Sequence, residues 1–282
     1  MDEGRPSATA LGTALARAAH QILDRPRVLE DPLALRILGL EKESDRREQL
    51  IGRYRPQGAL RAFLALRSRY AEDELARAIQ RGVGQYVILG AGLDTFPYRN
   101  PYPGSKLRVY EVDHPATQAW KRRRLHESGI EIPDSVAFAP VDFEKQSLGE
   151  GLVGAGFRKA EPAFFSWLGV VIYLTKPAVL ETLRFVAALP ADSEIVFDYC
   201  VPPAGLPDDL RAAHERLARR TAEYGEPWIT YFEPQALAQE LRQKGFMQME
   251  DLDSEEANRR YFKDRADGLR VNGAGRLLMA RV

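Results

Sequence analysis

One cysteine, Cys200, stands in 282 residues, so the chain can form no internal disulfide and no metal site built from several cysteines. A reducing, cytoplasmic setting is consistent with that scarcity. An excess of charge of one sign is missing too. The 40 Lys and Arg balance 40 Asp and Glu, which removes the basic surplus that nucleic acid or an anionic membrane would call for. Long apolar runs are absent: the longest uncharged stretch, Pro162 to Thr175, is 14 residues, and Met1 to Ala10 holds no apolar leader segment. Neither a membrane helix nor export is expected. No internal repeat or low-complexity tract occurs. What is there is an ordinary globular composition, 45% hydrophobic and 28% charged, long enough for one large domain or a core domain with a cap. The expected partner is a small-molecule substrate, met by a monomer or homodimer.

A third glycine is also missing, from the stretch around which the chain is organised. In Gln85-Tyr-Val-Ile-Leu-Gly-Ala-Gly-Leu-Asp-Thr95 the apolar run Tyr86 to Leu89 passes straight into Gly90-Ala91-Gly92. Such a run ending in glycines reads as a strand buried on both faces, followed by a loop where a ligand touches backbone. The dinucleotide fingerprint needs a third glycine for close helix packing and receives a diphosphate at the helix N-terminus. Here Thr95 takes that place, and Asp94 would set a carboxylate beside the diphosphate, a costly approach of like charges. S-adenosylmethionine has no phosphate and carries a sulfonium and an ammonium. Asp94 therefore favours that cofactor, and a methyltransferase over a dehydrogenase.

Around this strand the pattern alternates. Ala10, Ala14, Leu15, Ala18, Ala19 and Ile22 form a helical stripe, and Asp31-Pro32 predicts a second helix that stops at Gly39. The charged run Glu41 to Glu48 predicts a solvated helix face or loop, and a stronger helix from about Arg67 to Gly82 leads into the first strand. Leu107 to Val112 predicts a second strand. Asp113 follows it about twenty residues beyond Gly92, where an acid can accept bonds from ribose hydroxyls. His114-Pro115 opens the next helix, whose Lys121 to Arg124 run reads as a solvated face. Val136 to Val141, capped by Asp142, Pro162 to Leu174 and Glu194 to Tyr199 supply three more strands, and Phe246 to Leu252 with Arg276 to Val282 a closing antiparallel pair. The expectation is an α/β fold: a doubly wound, mostly parallel seven-stranded sheet with its ligand at the strand carboxyl ends. An N-terminal helical cap (1–66) precedes the core (67–282). A helical insert at about 202–234, after the fifth strand, passes over the same edge as a substrate lid. Tyr224, Trp228 and Tyr231 in it, with Tyr173, are the candidate substrate contacts.

Taken together, Arg67-x-Arg69-Tyr70, Gly90-Ala-Gly-Leu-Asp-Thr95, Tyr110-Glu-Val-Asp-His-Pro115, Asp142 and Tyr173-Leu174 resemble, in order and spacing over nearly the whole chain, the S-adenosylmethionine-dependent methyltransferases of the leucine carboxyl methyltransferase-like superfamily. That group includes polyketide-tailoring O-methyltransferases. The resemblance implies a class I methyltransferase fold in which Arg67 holds the cofactor carboxylate, Gly90 and Gly92 let the backbone approach, Asp113 binds the ribose, and Asp142 with Phe143 reaches the adenine. Ala91, Asp94, His114 and Trp167 join them as candidate cofactor contacts. Several relatives carry a glutamate where this chain has Leu168, which keeps a non-catalytic, cofactor-binding regulatory protein among the readings.

Plainer roles stand beside these. Arg67 could pair with Asp73 or Glu74 on its own helix. Asp113 and Asp142 could be helix caps, Trp167 and Tyr173 core residues, His114 structural and Cys200 an inert thiol. His214 on the insert helix reads as solvated, though a base for a hydroxyl substrate would have to come from such a place. No catalytic residue is assigned. A carboxylate acceptor, with pKa near ~4, is already ionised at pH 7, whereas a phenol near ~10 benefits from a base. With no His/Asp pair in a motif, carboxyl O-methylation is the first expectation, hydroxyl methylation of a phenolic, polyketide-like metabolite of secondary metabolism the second.

Overall fold

The computed structural model describes residues 7–102, 107–142 and 146–282. Three helices come first: α1 (Ala8–Leu23), α2 (Ser44–Tyr54) and α3 (Gly58–Gln80). The alternating part follows as β1 (Gln85–Leu89), β2 (Arg108–Asp113), α4 (Pro115–Glu127), β3 (Val136–Pro140), α5 (Leu148–Gly154), β4 (Ala163–Trp167), α6 (Lys176–Ala187) and β5 (Glu194–Cys200). The chain closes with α7 (Asp208–Ala222), α8 (Pro234–Lys244), β6 (Gln248–Leu252), α9 (Ser254–Tyr261) and β7 (Gly275–Arg281). The strands form one seven-stranded sheet in the order β3-β2-β1-β4-β5-β7-β6, parallel except where β7 runs antiparallel to β5 and β6.

The apolar run of β1 has its explanation in this order. β1 lies between β2 and β4, and its side chains alternate between two cores. Val87 and Leu89 join Val179 and Leu183 of α6 on one face; Tyr86 and Ile88 join Tyr70 and Leu75 of α3 on the other. All four are buried, at roughly 1.5–3 kcal/mol each. The strand order reverses between β1 and β4, so the loops after those strands diverge and leave a crevice at the carboxyl edge.

Two local expectations change. The segment after Asp31 is a run of turns through residue 39, not a helix. Asp31 explains it: its carboxylate accepts from the Thr95 hydroxyl at 2.8 Å and lies 3.4 Å from Arg99, so it serves a tertiary network instead of capping a regular helix. The helix expected from Arg67 begins a good two turns earlier, at Gly58, and runs unbroken across residues 66 and 67. α9, between the closing strands, had no clear signal.

Glu194, at the start of β5, gives the fold a pH dependence. Its side chain is buried, with Oε2 accepting from Arg81 at 2.5 Å and Oε1 lacking a hydrogen-bond partner among the described residues. Burial is the main cause that lifts its carboxyl from 4.5 to about 7; Arg81 opposes and Glu74 adds to the rise. A raised folded pKa means stability that is full below about pH 4.5 and lost as pH climbs through about 7, at most on the order of 3 kcal/mol. Glu194→Gln cannot ionise. Thermal unfolding between pH 5 and 8 should show wild type losing stability toward pH 8 and the variant with that part of the slope removed.

Candidate active site

The glycine loop turns sharply at the end of β1. Gly90 and Gly92 sit at φ +68° and +43°, a region open to glycine but strained for other residues. A Cβ on Gly90 would run into a methyl of Val170, and one on Gly92 would lie 3.2 Å from Ala10 Cβ. The Gly90 and Ala91 amides both donate to the Val112 carbonyl, at 2.8 and 3.1 Å, which locks the loop to the end of β2.

Asp113, the last residue of β2, accepts from the Gly92 amide at 2.6 Å and from the His114 amide at 2.7 Å. Burial raises its carboxyl even against those two bonds. His114 is the N-cap of α4, its Nδ1 accepting from the Ala116 amide at 3.3 Å, and its Nε2 lies 3.9 Å from Asp142 Oδ2. The two strand-end acids thus share one corner of the sheet edge. Phe143 lies outside the described residues.

Asp94 is placed differently from the expectation. Its Oδ1 accepts from the Phe96 amide at 2.8 Å, closing the turn. Burial would raise its carboxyl, but Arg17, Lys121 and Arg99 outweigh it and hold it below the ordinary value. These cations belong to a buried network under the loop. Arg17 donates to the Leu93 carbonyl at 2.5 Å, Arg99 pairs with Glu72 at 2.5 Å, and Lys121 with Glu111 at 2.6 Å. Among the described residues, Arg17, Arg99 and Lys121 face Asp31, Glu72, Asp94 and Glu111. Burial raises the carboxyls of Glu72 and Glu111 in this network, while Asp94 is held low by its cationic neighbours. Sequence reasoning missed this network: the basic run that holds Lys121 read as a solvated face, and Arg17 within the alanine stripe carried no signal of its own.

On the other side of β1, Arg67 reaches across the ends of β4 and β5. Its Nη1 lies 3.3 Å from Asp198 Oδ2, while Asp198 Oδ1 accepts from the Gly169 amide at 2.5 Å. Gly169 is needed there: a Cβ would fall 2.6 Å from the Arg67 guanidinium. Arg67 therefore pairs with neither Asp73 nor Glu74; Asp73 pairs with Arg69 and Glu74 with Arg77. Asp198 was missed, though an acid near a strand's carboxyl end is the signal that singled out Asp113. Trp167 is wholly buried in the core beside Phe197, so the structure moves it from the cofactor surface to the interior.

The insert crosses this edge. Ile229 N donates to the Ile172 carbonyl at 2.9 Å, Thr230 Oγ1 to the Leu174 carbonyl at 2.5 Å, and Phe232 N to the Cys200 carbonyl at 3.1 Å. These bonds pin the aromatic return beside Tyr173, whose hydroxyl burial raises in pKa while neighbouring Trp228 and Thr9 oppose the rise. Tyr231 shares a 3.2 Å hydrogen bond with His214 Nε2, and the His214 ring lies tilted against that of Trp228, their centres 4.9 Å apart. His214 is half-buried, not solvated. Tyr224 leaves the group: it is 52% exposed and lies toward Tyr54 of α2. The N-terminus closes the ring from above, with Thr9 N donating to Glu226 Oε2 at 3.0 Å and Ala10 over Gly92.

Sequence comparison decides what this edge belongs to. The family model described as leucine carboxyl methyltransferase matches residues 10–187. The chain belongs to the leucine carboxyl methyltransferase family. It is 31% identical over 95% of both chains to a Bacillus subtilis protein named "Putative S-adenosyl-L-methionine-dependent methyltransferase YktD", and 33% identical to a Mycolicibacterium paratuberculosis protein of the same designation, over 74% of this chain and 69% of that one. Solved structures agree on the fold. A DUF574 family protein from Streptomyces avermitilis superposes with TM-score 0.57 at 16% identity, covering 99% of this chain and 98% of its own. A Thermobifida fusca protein described as a "putative methyltransferase" gives the same TM-score at 19% identity, over 99% and 96%. The chain is an S-adenosylmethionine-dependent methyltransferase with an α/β methyltransferase fold. Its site fits that cofactor: a glycine cradle that a Cβ would fill, and an acid beside the loop amide. Among the described residues no group of three His, Cys, Asp or Glu could hold a metal ion, and no helix is long and apolar enough to cross a membrane.

Proposed function

We propose that this methyltransferase methylates an oxygen of a small, flat organic molecule held between the sheet edge and the insert. The carrying observation is the aromatic group Tyr173, Trp228 and Tyr231, pinned by backbone bonds over the ends of β4 and β5. S-adenosylmethionine supplies an electrophilic methyl on a sulfonium when bound. The chain's own residues would hold it as follows: Arg67 at its carboxylate, Gly90 and Gly92 against its backbone-facing side, Asp113 at the ribose, and Asp142 with His114 at the adenine end. The aromatic rings exclude water and orient the acceptor in line with the methyl, the main contribution a protein can make to a displacement of this kind. Neither nucleic acid nor membrane enters this reading, which places the enzyme in the cytoplasm among tailoring reactions of secondary metabolism.

Trp228→Ala and Tyr231→Ala should each reduce methyl transfer at least ~10-fold while leaving S-adenosylhomocysteine affinity within about twofold, since the cofactor is gripped by other strand ends. Turnover and calorimetry on the same folded variant check this. A loss of cofactor affinity with turnover per bound cofactor intact would remove the insert from the acceptor site.

A further inference from the structure

The insert carries a basic nitrogen in a position that nothing above uses. His214 projects from the middle of α7 into the return segment, where Trp228 flanks its ring at 4.9 Å and Tyr231 at 5.5 Å. Its Nε2 shares the 3.2 Å hydrogen bond with the Tyr231 hydroxyl. The residue after Tyr231, Phe232, donates its amide to the carbonyl of Cys200 at the end of β5 at 3.1 Å, two residues beyond the Asp198 that pairs with Arg67. The return segment thus ties the hydroxyl partner of the imidazole to the end of β5, the strand that carries Asp198. Burial lowers the imidazole pKa below its ordinary value, with Glu215 on the same helix opposing. That shift favours the uncharged ring, which can take a proton. Cys200 offers no rival, because burial holds its thiol up at about 12.

We infer that His214, through Tyr231, is the proton acceptor for a hydroxyl-bearing acceptor, which makes phenols the substrate class of this site. The inference rests on the oxygen-methylation reading above. As the acceptor oxygen bonds to the methyl carbon, its O–H proton passes to Tyr231 Oη while the Tyr231 proton passes to His214 Nε2. The S–C electron pair stays on sulfur, and the imidazolium later releases its proton to solvent. A carboxylate has no proton to give, so a neutral base would serve it nothing. Reading the pair as packing alone leaves the polar edge of a half-buried imidazole aimed at a hydroxyl over the reacting edge without a purpose.

The test compares wild type, His214→Gln and Tyr231→Phe, each with unchanged S-adenosylhomocysteine affinity. The acceptors are a nitrophenol already ionised at pH 8, alkyl-substituted phenols that hold their proton, and benzoate. For the alkylphenols both variants should lose 10²-fold or more in kcat, the scale of general base catalysis, while the nitrophenol changes only a fewfold. A second readout needs no turnover. In the cofactor-free protein the 15N resonances of His214 should report a neutral ring at pH 7 and shift when an alkylphenol is added, but not when benzoate is. Equal losses on ionised and protonated phenols, or unmoved His214 resonances, would overturn the role of His214. Methylation of benzoate alone would overturn the phenol class while sparing oxygen methylation. If wild type binds the cofactor yet methylates none of these oxygens, the oxygen reading fails and the inference with it.

Discussion

Gly90→Ala should abolish measurable S-adenosylmethionine binding. Two costs meet at this residue. Its φ of +68° is a left-handed conformation that costs an L-residue with a side chain roughly 1–2 kcal/mol, and the new Cβ points into a methyl of Val170, an overpacking on the order of 1–3 kcal/mol. The loop can relieve both only by moving. Movement breaks the 2.8 Å bond from Gly90 N to the Val112 carbonyl and draws the Gly92 amide off Asp113, the two contacts that shape the cradle. Gly84→Ala is the matched control, since no atom lies within 4 Å of its Cβ and its φ is not positive. Calorimetry should show wild-type affinity in Gly84→Ala and none in Gly90→Ala. Equal affinities would mean the loop is not the cofactor's seat.

The second large effect is expected at Arg67. Its guanidinium and the Asp198 carboxylate are both nearly buried, so Arg67→Ala leaves a poorly solvated carboxylate that keeps the Gly169 amide but loses its cation. Removing one member of a fully buried pair costs ~3–5 kcal/mol, and the residual exposure of this pair puts the loss at the lower end or somewhat beneath. Cofactor affinity should fall by a further ~1.5–3 kcal/mol if the guanidinium also bonds the cofactor carboxylate. Arg67→Ala paired with Asp198→Asn separates the two. The double variant removes the stranded charge and should recover much of the stability while keeping the affinity loss. Recovery of both would make Arg67 purely structural.

How far the sequence could be read follows from which interactions are local. The alternation of β1 between two cores, the acid at the end of β2, and the φ-demanding glycines of the loop are set within a few residues, so the strand pattern and the glycine loop were legible. Gly245, left-handed at φ +108°, ends α8 by a local backbone device of the same kind. What escaped depends on distant partners. Asp31 looked like a helix cap, and became the receiver of a bond from Thr95 because the glycine loop folds over it. Trp167 stands at the end of a strand that feeds the site, yet the inward phase of β4 buries it. His214 and Tyr231 are 17 residues apart, with no spacing rule to join them; only the return of the insert along residues 172 and 174 brings them together. Tyr224 failed for the converse reason, since α7 ends two residues before it and the chain turns it outward toward α2.

The central claim is that cofactor and acceptor meet beneath the insert, at the ends of β1, β4 and β5. A crystal structure of the protein with S-adenosylhomocysteine and an alkylphenol tests it most directly. The account places the homocysteine carboxylate on Arg67, the ribose hydroxyls on Asp113, and the phenol oxygen between the cofactor sulfur and Tyr231, with the Trp228 ring along its face. A phenol bound away from the insert, or a cofactor sulfur directed away from Tyr173 and Tyr231, would contradict it.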